Sequence, residues 1–217
     1  MADLVSDYLA GRAEALQFFA APPALPAQLP SPAPLAPDLV AALRSYQSHL
    51  GLTRSITGQE HVVVTGQQPG LLTGPLYTIY KAITTIQAAQ QITLQTGQPC
   101  LPIFWIGGDD HDFEEMREAH VLSRQHELLT LRYAPQADVG GLPMFRIPLE
   151  QNLHSLVDEA AAAVPGSEFS EEVHTFLHDT LAASANFSEW FARILARLFR
   201  DTPLLLFTPE LAEARTL

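Results

Sequence analysis

The chain has 217 residues, enough for one sizeable domain or two small ones, and its formal net charge is −12 at pH 7. This acidic balance argues against a nucleic-acid surface and against an anionic membrane surface, because both favour a basic patch. The apolar runs are short, residues 1–21 lack a secretory-signal pattern, and the one cysteine, Cys100, excludes an internal disulfide framework. We therefore expect a cytoplasmic protein that binds neither nucleic acid nor membrane.

The N-terminal segment divides into a predicted helix and a proline-rich connector. Residues 1–21 carry apolar side chains at roughly helical spacing, namely Leu4, Val5, Tyr8, Leu9, Leu16 and Phe19. Seven prolines follow within residues 22–37, and this density excludes a helix or a central strand. We interpret the connector as an extended arm on the domain surface, with a proline-rich ligand for another protein as the alternative. Asp38 is predicted to cap a short helix that runs through Leu50.

A βαβ unit is predicted next. The β-branched run "HVVVT" from His61 is typical of a buried strand, "GPLYTIYKAITTIQAAQQI" has helical spacing, and "PCLPIFWIGG" is typical of a second buried strand. A strand, a helix and a strand in this order indicate two parallel strands with a right-handed crossover.

The later part of the chain is predicted to be mixed. "ELLTLRYA" and "MFRIPL" resemble the two strands of a hairpin around Gly140 and Gly141. Helical patterns follow near residues 150–163, 168–183 and 187–200, and "PLLLF" at 203–207 is typical of another buried strand.

The segment between the first strand and its helix, residues 66–76, is called the glycine loop here. Gly66, Gly70 and Gly74 allow positive φ or a close approach of the backbone to a ligand. Thr73 is predicted to cap the helix and Pro75 to occupy its first turn. The free amides at the carboxyl end of a parallel strand would then favour an anion. The alternative is a tight turn whose glycines serve packing only.

Lys81, the only lysine of the chain, lies about two turns into the predicted helix, roughly 9 Å along its axis from Pro75. A lysine side chain that points back towards the helix N-terminus would bring its ammonium near the same anion. Tyr77 is one turn earlier and shares this face. A solvated position for Lys81 is the alternative.

The acidic loop, residues 107–115, reads "GGDDHDFEE" and follows the second strand. We expect it beside the glycine loop, because the carboxyl ends of parallel strands lie at one edge of a sheet. Its titratable residues are Asp109, Asp110, His111, Asp112, Glu114 and Glu115. The roles considered are metal binding by His111 with Asp112, capture of an amino substrate by a carboxylate, and proton transfer by His111. The alternative is an acidic first helical turn with His111 as a cap. We assign no metal site, because no second ligand cluster is apparent. His174 and His178, one helical turn apart, are interpreted as a solvated face.

Two blocks, "TGQQPGLLTGPLYTIYKA" and "PIFWIGGDDHDFEE", closely resemble the bacillithiol biosynthesis cysteine-adding enzymes. The residues of this sequence that match the family pattern are Gly66, Gln67, Gln68, Gly70, Leu71, Thr73, Gly74, Pro75, Leu76, Tyr77, Thr78 and Lys81, then Phe104, Trp105, Asp110, His111 and Asp112. Asp109 stands where the family more often has glutamate.

The resemblance implies a ligase that joins cysteine to the amine of glucosaminyl malate, with ATP as the suspected activator and Mg²⁺ as a candidate ion. It implies catalytic roles for Lys81, His111 and Asp112. It implies substrate or phosphate binding by Gly66, Gln67, Gln68, Gly70, Thr73, Gly74, Tyr77, Asp109 and Asp110. The alternatives are a non-catalytic anion- or nucleotide-binding remnant and another nucleotidyl-transfer enzyme related to class I synthetases.

The resemblance also implies an α/β fold, a Rossmann-like parallel sheet of the nucleotidyltransferase type with an inserted α+β connecting region. The expected divisions are a helix at 1–21, the connector at 22–37, the first half of the core at 38–121, the connecting region at 122–202 and a return strand at 203–217. Family members are much longer, so we expect a fragment that is inactive alone. The coiled coil through which longer relatives are expected to form homo-oligomers is not in this sequence.

Overall fold

The computed structural model describes residues 3–26 and 29–216. Among these residues, none of the helices combines the length and the apolar character that crossing a membrane requires. The helices are α1 (Leu4–Leu9), α2 (Ala13–Leu16), α3 (Pro37–His49), α4 (Tyr77–Thr96), α5 (Phe113–Met116), α6 (Asn152–Ala163), α7 (Ser170–Ala182), α8 (Phe187–Leu198) and α9 (Ala212–Arg215). The strands are β1 (His61–Gln67), β2 (Cys100–Ile106), β3 (Glu118–Leu122), β4 (Leu128–Arg132) and β5 (Leu205–Phe207).

The larger sheet has the order β1-β2-β5, and both pairings are parallel. Val64 pairs with Ile103 on one side of the central strand, and Ile103 pairs with Leu205 on the other. The predicted βαβ unit and the α/β class are therefore confirmed, with "PLLLF" returning to the same sheet. Because all three strands are parallel, their carboxyl ends lie at one edge.

The two faces of this sheet are covered unequally. One face is buried by α4 and α8, in a cluster that contains Ala82, Ile86, Phe104, Ile106, Phe191, Leu195 and Leu206. On the other face, Leu39, Val40 and Leu43 of α3 pack near Leu205. Val62 and Val64 of β1 are 45% and 52% exposed on that face. The helices therefore fix the β5 side of the sheet more completely than the β1 side.

The predicted single helix at 1–21 is wrong in detail. The structure has two short helices, because Gly11 has a φ of 68° and ends the first. Met1 and Ala2 lie outside the described residues, as do residues 27 and 28 of the connector. The described remainder of the connector has neither helix nor strand before Pro37. The helix α3 begins at Pro37 with Ala36 as its cap, so Asp38 lies in the first turn and is not the cap.

The predicted hairpin pairs "ELLTLRYA" with the wrong strand. The strand β4 pairs antiparallel with β3, where His120 faces Thr130, and the turn between them is closed by a bond from the Ser123 amide to the Glu127 carbonyl. "MFRIPL" instead contains a short 3₁₀ turn, because Met144 and Ile147 are buried in the core between the hairpin and the helices. The hairpin begins at Glu118, before the expected boundary at residue 122.

The helices α6, α7 and α8 match the three predicted stretches, and α8 connects two cores. Trp190 and Ile194 pack in the core of the connecting region, whereas Phe191 and Leu195 pack under the sheet. Two adjacent faces of one helix therefore hold the connecting region against the sheet.

Candidate functional site

The glycine loop is tightly folded and contains unusual backbone angles. Leu72, Thr73 and Gly74 have φ values of 52°, 80° and 68°, so two non-glycine residues in succession have positive φ. Such angles cost roughly 1 kcal/mol or more each and persist only where surrounding contacts hold them. A side chain on Gly70 would place its Cβ 2.7 Å from the Gly74 Cα, which explains why glycine is needed there.

The start of α4 differs from the prediction. Thr73 does not cap the helix, since α4 begins at Tyr77 with Leu76 at the cap position and no side-chain cap. The Pro75 carbonyl accepts a hydrogen bond from the Thr78 amide, 2.9 Å away, so Pro75 precedes the helix and closes its first turn. Positive φ at Thr73 directs the chain into this turn without a capping side chain.

Lys81 reaches back to the glycine loop. Its Nζ donates to the Gly66 carbonyl at 3.2 Å and to Gln67 Oε1 at 2.9 Å. The ammonium also lies 4.8 Å from the centre of the Tyr77 ring. Because a lysine ammonium has three N–H groups, one donor remains beyond these two bonds. The positive charge is therefore held at the carboxyl end of β1.

The two loops are in direct contact. Gln68 Nε2 donates to Asp110 Oδ2 at 3.0 Å, and the Gly107 amide donates to the Gln67 carbonyl at 3.0 Å. The amide of Asp112 donates to Asp110 Oδ1, and this bond together with that from Gln68 lowers the pKa of Asp110. Asp110 therefore stays ionised while it links the two loops.

The remaining polar residues of the acidic loop are less constrained. Asp112 caps α5 by accepting a bond from the Glu115 amide at 3.2 Å, so the cap is Asp112, not His111. Asp109 and His111 are exposed. Among the described residues, His111, Asp112 and Glu115 do not gather their ligand atoms into a metal-binding group. The loop instead presents an imidazole and a carboxylate to solvent beside Asp110.

The connecting region holds the acidic loop from the other side. The amide of Met144 donates to the Asp110 carbonyl at 2.9 Å, and the amide of Phe145 donates to the Gly108 carbonyl at 3.1 Å. The segment that was predicted to be a strand therefore fixes the backbone of the acidic loop.

Glu210, which sequence reasoning missed, lies at the same edge. Its Oε1 accepts bonds from Ser188 Oγ at 2.9 Å and Thr208 Oγ1 at 3.0 Å. A Cβ on Gly108 would lie 2.4 Å from this oxygen, so the carboxylate touches the acidic loop. Burial raises the pKa of Glu210. The sequence offered one indication of this position: Glu210 follows "PLLLF" by three residues, and the carboxyl ends of parallel strands lie at the edge of the sheet where ligands bind.

The raised pKa of Glu210 predicts a pH effect on stability. Folded Glu210 holds a proton that the unfolded chain releases, so its contribution to the free energy of unfolding falls as pH rises above the ordinary glutamate value. Glu210→Gln should therefore gain stability relative to the parent as the pH is raised from about 4 towards neutral. Urea unfolding across this range measures the difference. Glu159→Gln, at an exposed position, is the control and should show no such trend. A difference that is constant or shrinks with pH would contradict the assignment.

Comparison with known proteins identifies the family to which the chain belongs. The family model described as the bacillithiol biosynthesis BshC N-terminal Rossmann-like domain matches residues 2–217. A protein of Salinibacter ruber, provisionally named cysteine ligase BshC, is 41% identical over 155 residues, which are 71% of this chain and 28% of the relative. The protein of the same name from Desulforamulus reducens is 36% identical over an alignment that covers 74% of this chain and 29% of the relative. The protein of the same name from Bacillus cereus strain B4264 is 31% identical over 83% of this chain and 35% of the relative.

The chain spans about a third of the length of the curated relatives it matches. The glycine loop and the acidic loop, whose residues carry the resemblance seen in the sequence, lie in contact at the edge where a Rossmann-like sheet binds ligands. The chain belongs to the BshC family of bacillithiol biosynthesis and corresponds to its N-terminal Rossmann-like domain.

Proposed function

We propose that this chain is the substrate-binding N-terminal domain of a ligase that joins the carboxyl group of cysteine to the amine of glucosaminyl malate. The observation that carries this proposal is the bond between Gln68 and Asp110, which holds the glycine loop, with the Lys81 ammonium bonded to it, beside the acidic loop. A reaction between an activated carboxyl group and an amine needs both kinds of surface within reach of each other.

The cationic side fits a phosphate-bearing activator. The ammonium of Lys81 has one N–H donor beyond its two bonds to the glycine loop. Gly70 and Gly74 are in close contact and carry no side chains, so the backbone of the loop is open to an anion there. ATP, when bound, would supply the phosphoryl or nucleotidyl group that makes the cysteine carboxylate an acylating agent. Lys81 would hold the anionic phosphate, with Gly66, Gln67 and Thr73 around it.

The anionic side fits an amine. Asp109 and Asp112 offer carboxylates to an ammonium or to a sugar hydroxyl, and Mg²⁺ would find the oxygen ligands that it prefers there. His111 is exposed beside them and would take the proton that the amine must lose before it attacks the carboxyl carbon. Asp110 would hold the loop in place through Gln68 and the Asp112 amide. In the net step a C–N bond forms, the bond from the carboxyl carbon to the activated oxygen breaks, the activating phosphate or nucleotide leaves with that oxygen towards Lys81, and the amine proton passes to His111.

The test uses a chimera in which this chain replaces the matching segment of a full-length relative such as the Salinibacter ruber protein. We expect a thiol product that requires cysteine, glucosaminyl malate and ATP, measured by mass spectrometry. Gln68→Ala with Asp110→Asn should lower the rate, whereas the exposed control Glu159→Gln should not. A folded chimera that binds nucleotide without forming product would indicate a non-catalytic binder. Product with another amine only would indicate a different nucleotidyl-transfer enzyme.

A further inference from the structure

A cluster of three side chains joins α6 and α7 within the connecting region. His174 and His178 lie one turn apart on α7, so both rings face the same neighbour. Their Nε2 atoms lie 2.7 and 2.9 Å from Oδ1 of Asp158 on α6. The two Nε2 atoms are 3.2 Å from each other. Two imidazole nitrogens and a carboxylate oxygen therefore converge on one point.

The spacing of these atoms is close to that of a tetrahedral metal site. Ligand atoms about 2.0 to 2.1 Å from a zinc ion lie about 3.3 Å apart along each edge of the tetrahedron. The separation of the two Nε2 atoms matches this edge, and the two distances to Asp158 are shorter by about half an ångström. A small outward movement of the carboxylate would make room for a cation. Asp158 is 60% exposed, which leaves a side open to solvent for entry.

A fourth side chain supports the orientation of His178. His154 Nδ1 lies 2.9 Å from His178 Nδ1, and the two rings are stacked with centroids 5.1 Å apart. One of these two nitrogens must carry a proton and donate a hydrogen bond, and the other must accept that bond. If Nε2 of His178 binds a metal, its Nδ1 carries the proton and donates to His154. Metal-binding histidines are commonly fixed by such an outer hydrogen bond.

We propose that Asp158, His174 and His178 form a Zn²⁺ site that ties α6 to α7. Imidazole ligands favour zinc and related transition metals, whereas Mg²⁺ and Ca²⁺ favour sites made of oxygen atoms alone. The proposal is independent of the proposed ligase activity, because none of the three residues belongs to the glycine loop or the acidic loop. A zinc ion here would add a cross-link between two helices that pack side by side.

The test is zinc binding to the chain without a polyhistidine tag, after removal of metal with a chelator. Titration calorimetry should give one equivalent of Zn²⁺ at micromolar affinity and no heat with Mg²⁺, and Zn²⁺ should raise the temperature of unfolding. His174→Ala with His178→Ala should weaken binding about a hundredfold or more. His154→Phe, which keeps a stacked ring, should weaken it about tenfold.

The matched control is His120→Ala on the exposed hairpin, which should leave zinc binding unchanged. Asp158→Asn keeps the size of the side chain and supplies the same test if the double variant does not fold. Co²⁺ should give the visible absorption of tetrahedral coordination in the parent and lose it in these variants. Absence of zinc binding, equal responses to Zn²⁺ and Mg²⁺, or binding that survives loss of both histidines would overturn the proposal.

Discussion

Lys81→Ala should lower the rate of product formation by the chimera about a hundredfold, the size of effect seen when one preorganised donor is removed from a developing charge. The ammonium is fixed by the Gly66 carbonyl and Gln67 Oε1, so its remaining donor needs no reorganisation before it meets an anion. The temperature of unfolding should change by only about 3 °C, because loss of two surface-edge hydrogen bonds costs little. Steady-state kinetics and thermal melting measure the two quantities on the same preparation.

Two further variants separate the role of Lys81 from charge in general. Lys81→Arg should restore little activity, since a planar guanidinium cannot replace a compact ammonium between two fixed acceptors. Arg200→Ala removes a positive charge from an exposed position and should leave the rate unchanged. A rate for Lys81→Ala equal to that of the parent would remove this residue from the site.

Gly66→Ala should destabilise the chain by about 2 kcal/mol, a typical cost of inserting a methyl group into a packed site. The new Cβ would lie 2.7 Å from the carbonyl oxygen of Trp105 and 3.1 Å from its Cβ, so β1 and β2 would have to move apart. Urea unfolding of the 217-residue chain measures this change. Because the clash is with the backbone of the central strand, no side-chain rotation relieves it.

Gly166→Ala is the matched control for this substitution. A Cβ at Gly166 would meet nothing within 4 Å, and its φ lies outside the left-handed region. Alanine there should be neutral or stabilise the chain by up to about 1 kcal/mol, because it restricts the unfolded state. Equal losses of stability for the two variants would show that the contact with Trp105 does not decide the outcome.

The sheet could be predicted from the sequence because its strands are short apolar runs bounded by glycine or proline. "PCLPIFWI" and "PLLLF" contain buried residues, whereas "HVVVT" at the edge of the sheet is half-buried on one face and exposed on the other, so the prediction of a buried strand there is wrong. Each run is too short for a helix. Their parallel arrangement followed from the helix between the first two. The contact between the glycine loop and the acidic loop could be anticipated for the same reason, since both loops follow parallel strands.

The errors occurred where tertiary contacts decided between local alternatives. "MFRIPL" was predicted to be a strand, yet Met144 and Ile147 are three residues apart, the repeat of a 3₁₀ helix, and they enter the core of the connecting region together from a 3₁₀ turn. The carboxylate of Glu210 is positioned by hydrogen bonds from Ser188 and Thr208. The bond from Ser188 joins residues 22 apart in the chain, and no motif in the sequence predicts it. The contacts of His174 and His178 with Asp158 could not be predicted from the sequence, because Asp158 belongs to another helix.

The order of the sheet, β1-β2-β5, has a consequence for how the protein is made. While the ribosome synthesises the connecting region, β2 can pair with β1 on one side only. Its other edge stays unpaired, because Leu205, the partner of Ile103, has not yet been synthesised. Pairings between residues so distant in the chain form slowly, and unpaired edges are prone to aggregate in the meantime. The core around Leu153 and Trp190 consists of residues that precede β5 in the chain, so it can form before the sheet is closed. Closure of the sheet by β5 is then the late step that brings Glu210 against the acidic loop.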